Sequence, residues 1–147
     1  MNTFTFTGES CLNNFYPCPV IFDNRKYRSS EAAYQSCKTA DPLIRDKFVG
    51  LSAMKSKTLG RSLPLRSDWE QIKCLVMYEV CWAKFTQNED CRKVLLKTGD
   101  AILIENTTGW CDHVWGICYC NKCNGVGENY LGQVLMRVRN DLRVKGY

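Results

Sequence analysis

The rhythm of apolar and polar residues changes several times along the chain, and each change marks an element. Phe4 and Phe6 alternate with threonines as far as Gly8, which predicts a short strand. Leu12 to Pro19 carries two prolines and two asparagines and reads as a loop. Val20-Ile21-Phe22 and Lys26-Tyr27-Arg28 flank Asp23-Asn24-Arg25, the pattern of a small hairpin. Ser29 or Ser30 then supplies an N-cap, with Glu31 in the first turn. That helix is expected to end near Ala40, because Pro42 biases Asp41 out of the helical region. Asp41-Pro42 starts a second short helix to about Val49. Ser52 to Leu59 makes a third, with Gly60 as its stop.

Leu63 to Ser67 is a linker around Pro64. Asp68 caps the longest early helix, Trp69 to about Phe85. Its apolar positions Ile72, Leu75, Val76, Val80 and Ala83 form a broad core face. Asn88 or Glu89 opens a short helix through Leu96, which Thr98-Gly99-Asp100 ends. Ala101 to Glu105 is apolar almost throughout and predicts a buried strand. Asn106 to Gly127 is long and irregular, and loops of that length in a compact domain usually serve function. The last helix starts at Gly127 or Asn129 and runs to Arg143, with Leu131, Val134, Leu135, Val138 and Leu142 as its packed stripe. The sum is a mainly α fold with a few short β-strands (α+β), roughly half helix. It forms one compact domain over residues 1–147, with a Cys-rich loop at 111–127.

Composition fits that picture. A chain of 147 residues with 45% hydrophobic and 12% aromatic residues can bury a full core. The net charge of +5 is mild and spread out. It suits an anionic ligand or a nucleic-acid backbone without forming a dedicated basic arm. No run of 18 apolar residues is present, so no membrane span is expected. The first residues lack a basic region followed by an apolar core, so a secretory signal is not expected either. Ten cysteines in that setting read as reduced thiols in a cytoplasmic protein. Cys74, Cys81 and Cys91 fall in helical segments and are expected to pack as small apolar residues.

Candidate chemistry concentrates in two places. On the helix that starts at Ser30, about 100° per residue puts Glu31, Tyr34, Gln35 and Lys38 on one stripe. Ala32, Ala33, Ser36 and Cys37 form the opposite, packing side. A carboxylate and an amine two turns apart can face one ligand, although such a stripe is also what a solvated face looks like. The second place is Cys111, Cys118, Cys120 and Cys123, with the only histidine, His113, nearby. Three or four thiolates could hold zinc, or a reduced thiol cluster could brace the loop. One CxxC knuckle is clear, a second is not, and Cys118 and Cys120 would point apart in an extended chain. No glycine-rich phosphate loop is present, and one histidine cannot form a histidine pair on a metal.

The ordered motifs Leu12-Asn13-Asn14-Phe15-Tyr16-Pro17, Ser30-Glu31 with Tyr34-Gln35 and Lys38, Leu59-Gly60-Arg61, Asp68-Trp69, Val76-Met77 and Lys84-Phe85 continue through Leu95-Leu96 and Thr98-Gly99-Asp100. Asp112, Trp115-Gly116, Gly127 to Asn129, Leu131-Gly132, Leu135-Met136 and Arg139 complete the series. Together they resemble the NADAR family, also called YbiA-like, over nearly the whole chain. The cysteine-bearing stretch between Gly116 and Gly127 departs from the shortest family pattern. The resemblance implies N-glycosidase chemistry at a bond between a nitrogen and ribose C1, with no metal or redox cofactor. The implied substrates are phosphorylated riboflavin precursors, or ADP-ribose attached to guanine in a nucleoside or nucleic acid.

Breaking such a bond builds positive charge on the ribose and negative charge on the departing nitrogen. On this reading Glu31 is the acid/base and Lys38 the amine that forms a Schiff-base intermediate, with Lys84 the alternative amine. Asp112 meets a ribose hydroxyl or the base edge, Asn14 and Asn129 are polar anchors, Phe15 and Trp115 are stacking walls, and Arg61 binds phosphate. Tyr34, Trp69 and Gly116 complete the implied substrate-binding set. A competing reading is a noncatalytic zinc-knuckle module that binds RNA or a nucleotide.

Overall fold

The computed structural model describes residues 2–147. Four short strands and six helices follow in the order β1 (Thr3–Phe6), β2 (Val20–Phe22), β3 (Arg25–Tyr27), α1 (Ser30–Ser36), α2 (Pro42–Asp46), α3 (Ala53–Ser62), α4 (Trp69–Gln87), α5 (Glu89–Lys97), β4 (Ile102–Glu105) and α6 (Tyr130–Val144). The fold is therefore mainly helical with a few short strands, as the residue rhythm predicts. β2 and β3 pair antiparallel about Asp23 and Asn24, which both adopt the left-handed conformation that a tight hairpin tip requires. β1 pairs in parallel with β4, Thr3 opposite Ile102 and Phe6 opposite Glu105.

One hydrophobic core joins the elements. Helix α4 contributes Trp69, Val76, Met77, Val80, Cys81 and Phe85, and α6 contributes Leu131, Val134, Leu135, Val138 and Leu142. Leu103 of β4 and Ala32, Ala33 and Tyr34 of α1 close it. The buried face of α4 is rotated from the expected one. Leu75 is 58% exposed, and Cys74 is exposed while Cys81 and Cys91 are buried. Met77, Cys81 and Lys84 take the inward places because α4 packs against α1 and β2 as well as α6.

Several boundaries differ from expectation for physical reasons. Helix α1 stops at Ser36 with Cys37 as its C-cap, short of Ala40. The Cys37 and Lys38 amides close onto Tyr34 O and Gln35 O at 3.1 and 3.2 Å, which tightens the last turn. Helix α2 is one turn long, and the chain to Val49 continues as linked turns. Gly60 does not stop α3, which runs to Ser62. A Cβ at Gly60 would overlap the side-chain oxygen of Gln35, so this glycine lets α3 pass close to α1. The Asp68 side chain accepts no capping bond from α4 and instead pairs with Arg66 at 2.6 Å. The stretch 106–127 is less irregular than it reads, with isolated bridges between Asn106 and Ile117 and between Cys118 and Val126. No helix among the described residues is long and apolar enough to cross a membrane.

Candidate active site

Helix α1 is buried on every side, which removes the solvated-face reading of its polar stripe. Glu31 and Gln35 are only 7% and 4% exposed. Ser29 caps the helix by accepting from the Ala32 amide, and Glu31 sits one residue inside that end. Gln35 donates from Nε2 to Glu31 Oε1 at 2.8 Å, an i, i+4 pair that fixes the carboxyl. Lys38 lies in the turn just past the helix, and it lines the same cavity as Glu31, Tyr34 and Gln35.

That cavity has a volume of about 590 Å³ and lies between α1, α3, α4, β4 and the loop before α6. It is within the size range of sites for small organic ligands. Its walls divide by chemistry. One wall is aromatic and centred on Tyr34. The Trp69 ring lies 5.2 Å away, tilted, and the Trp115 ring meets it edge-on at 5.4 Å. A second wall is cationic, with Lys57 and Arg61 of α3 beside Lys38. Lys57 also sits over the Phe15 ring at 5.5 Å. A third is acidic, with Glu31, Glu105 and Asp112.

Burial dominates the acid–base behaviour. Desolvation raises the Glu31 carboxyl above the usual range, against the opposing effects of Gln35, Lys57 and Lys38. Desolvation also pulls the Lys38 ammonium below the ordinary lysine value. Glu31 opposes that fall, and Arg61 and Lys57 add to it. Glu105 is pushed up to about 8 by burial and by the charges of Asp112 and Glu31, with its bond from Asn13 acting the other way.

Glu105 is the main site residue that sequence reading missed. As the last residue of an apolar run it looked like a strand end. β4 alternates its burial, so Leu103 and Glu105 both turn inward. Glu105 Oε1 accepts from Asn13 Nδ2 at 3.3 Å, and Oε2 has no partner among the described residues. Gln35 Oε1 is also buried without such a partner. A buried polar atom left unpaired at a cavity wall is costly in the free protein, and a ligand that hydrogen-bonds to it removes the cost. Lys57, Met77 and Trp110 were further omissions. The spacing of Lys57 and Arg61, four apart on one helix, was the available signal for the first.

Not every expected residue reaches the cavity. Asn14, Phe15, Tyr34, Arg61, Trp69, Asp112 and Trp115 line it together with Glu31 and Lys38. Lys84, Gly116 and Asn129 lie outside the lining and support it. Lys84 is fully buried and donates to Asn13 O at 2.9 Å. The next residue, Asn14, accepts from the Glu31 amide at 3.1 Å and from Ser30 Oγ at 2.9 Å. Two adjacent asparagines thus connect the Glu105 carboxyl on β4 to the first turn of α1, and Lys84 anchors the first of them. Asn129 bonds along β4, and a Cβ on Gly116 would overlap Thr107 and the Glu105 carbonyl. Asp112 accepts from the Val114 and Trp115 amides at 2.8 and 2.9 Å, so one of its oxygens shapes the turn that presents Trp115.

Comparison with known proteins shows what the whole chain is similar to. The family model for the NADAR domain matches residues 3–143. N-glycosidase YbiA of Escherichia coli is 35% identical over 137 residues, covering 91% of this chain and 82% of that protein. An N-glycosidase of Nostoc punctiforme is 35% identical over 142 residues, covering 90% and 85%. A riboflavin biosynthesis protein of Vibrio vulnificus is 35% identical over 135 residues, covering 90% of this chain and 35% of the longer protein. The NMR structure of E. coli YbiA superimposes with a TM-score of 0.81 at 31% identity, over 99% of this chain and 88% of that one.

Proposed function

The chain belongs to the NADAR domain family, and from that premise we propose that it is an N-glycosidase that removes ADP-ribose from ADP-ribosylated guanine, in a nucleoside or in modified nucleic acid. Membership makes the chain an enzyme of the hydrolase class, so the noncatalytic binding module gives way. The observation that carries the reading is the pairing of two buried carboxyls, Glu31 and Glu105, with three clustered cations in one cavity. A diphosphate suits Lys57 and Arg61 better than a single phosphate does, because each added anionic oxygen gains its own partner. The Tyr34–Trp69–Trp115 wall offers flat faces to a base.

On this proposal Glu31, its carboxyl raised by burial, gives a proton to the departing base nitrogen, which leaves with the C1–N bond pair. Lys38, its ammonium weakened by burial, releases one proton to solvent, and its amine attacks C1 as the base leaves. The ring C1–O bond then breaks to give a Schiff base, and Glu31 carries a proton from the attached nitrogen to the freed ring oxygen. Water then adds to C1 and expels the lysine amine, and the sugar leaves as its free aldehyde form. Glu105 completes the carboxyl pair and donates from Oε2 to a ribose oxygen.

The relative from V. vulnificus favours a second reading, in which the substrate is a phosphorylated intermediate of riboflavin biosynthesis. Parallel incubation with ADP-ribosylated guanosine and with phosphorylated riboflavin precursors separates the two. Release of free guanosine or guanine and ADP-ribose supports the proposal. Cleavage of the riboflavin precursors alone selects the second reading, and cleavage of neither removes both.

A further inference from the structure

The loop that presents Asp112 and Trp115 contains a second constructed site that the glycosidase reading does not use. Cys111, Cys118, Cys120 and Cys123 converge so that their sulfurs all lie within 4.8 Å of one another. A tetrahedral tetrathiolate zinc, with bonds of about 2.3 Å, requires sulfur separations of about 3.8 Å. Cys111 and Cys118 stand at 3.6 Å. The convergence is not what the sequence suggests, because Cys118 and Cys120 alternate. The chain breaks out of its bridge to Val126 immediately after Cys118, and the turn at Cys120 brings both sulfurs to one side.

The knuckle around Cys120 and Cys123 has the backbone that thiolate sites use. The Cys123 amide points at Cys120 Sγ at 3.4 Å, and the Cys123 and Asn124 amides both close onto Cys120 O. Asn124 and Gly125 follow in the left-handed conformation, folding the chain back so that the Gly125 amide reaches Cys118 O at 2.8 Å. Cys111 is also left-handed, with φ 52°, and is held there by its amide bond to Thr107 O. A β-carbon residue kept in that region marks a position the surroundings over-determine. His113 Nε2 lies 3.1 Å from Cys123 Sγ, where an imidazole N–H can donate to a metal-bound thiolate as an outer partner. All four cysteines are free, and they form one mutual cluster.

We infer that Cys111, Cys118, Cys120 and Cys123 bind one zinc ion as a closed structural site that fixes the Asp112–Trp115 wall of the cavity. Binding displaces the thiol protons to solvent and leaves four Zn–S bonds. An all-thiolate tetrahedral set with no open position suits zinc as a brace. The mechanical link is short. Cys111 adjoins Asp112, and two residues before Cys118 lies Gly116, packed on the Glu105 carbonyl.

The test is elemental analysis of the full chain purified under reducing conditions, together with cobalt substitution. About one zinc per chain is expected. Cobalt should give the thiolate charge-transfer and visible ligand-field bands of a tetrahedral centre. Cys120→Ser with Cys123→Ser should lose both signals, whereas Cys74→Ser should keep them. As a check that does not depend on a variant folding, chelation of the wild-type protein should open proteolytic cleavage within residues 106–127 while the helical circular dichroism persists. The inference is overturned by absence of zinc after anaerobic reconstitution with zinc alone, by stoichiometric iron, by disulfides among these four cysteines in the reduced preparation, or by zinc retained in the double variant.

Discussion

Asn129 grips the strand that ends in Glu105. Its side-chain Oδ1 accepts from the Glu105 amide at 3.1 Å, and its Nδ2 donates to Leu103 O at 2.9 Å. The residue stands at the N-cap position of α6, but its side chain makes no capping bond to that helix. Its own backbone is left-handed, at φ 54°, which asparagine tolerates better than most residues. Asn129→Ala should therefore cost about 2–6 kcal/mol, since two buried backbone groups lose their partner at about 1–3 kcal/mol each. The midpoint of chemical denaturation measures this. Turnover should fall along with stability, because Glu105 is then free to shift.

Glu105 itself should make stability depend on pH. Its folded value is about 8, above the ordinary carboxyl value of 4.5. The folded state therefore holds more protons than the unfolded state between these values, and stability falls as pH rises through that window. The slope is at most about 1.4 kcal/mol per pH unit. Glu105→Gln should flatten the decline of unfolding free energy between pH 5 and about 8. An unchanged slope in that variant would assign the titration elsewhere.

Lys38→Ala should abolish borohydride trapping of a covalent adduct on ADP-ribosylated guanosine and lower turnover by about 10²-fold or more. Lys84→Met should leave the trapped adduct in place, since that amine is engaged with Asn13 O outside the cavity. Trapping lost only in the Lys84 variant would transfer the covalent role.

Gly60→Ala should act on chemistry through its neighbour. The added methyl overlaps Gln35 Oε1, so Gln35 must move and give up its bond to Glu31. About 1–3 kcal/mol of destabilisation is expected from the overpacking. Glu31 should then titrate higher, because the Gln35 bond lowers its value in the parent protein. The pH–rate profile reads that shift. Gln35→Ala combined with Gly60→Ala should restore stability without restoring the profile.

Much of the fold was legible because its signals are local. The period of Leu131, Val134, Leu135, Val138 and Leu142 gives α6, and Ser29 and Pro42 mark helix starts at either side of α1. The site was legible where one helix carries it, as with Glu31 and Tyr34. Residues whose roles depend on a distant partner were not. Gly60 reads as a helix stop until α1 is seen against it, and Lys84 and Asn129 read as ligand contacts until Asn13 and Leu103 are seen to hold them. Glu105 was hidden for a similar reason. The inward turn of β4 is set by its pairing with β1, nearly a hundred residues earlier in the chain, and by Asn129 behind it.

That pairing also governs when the protein can acquire its shape during synthesis. β1 leaves the ribosome well before β4, yet among the described residues its strand neighbour is β4, and β4 in turn depends on Asn129 and the helix after it. Contacts so far apart in the chain form late, because the intervening loop must be closed before they return anything. Residues 3–6 must therefore wait, unpaired, until residues 102–129 have emerged. A nascent fragment ending before residue 129 would carry Glu31 and Lys38 without a formed cavity, so hydrolysis should begin only once α6 has emerged and packed on β4.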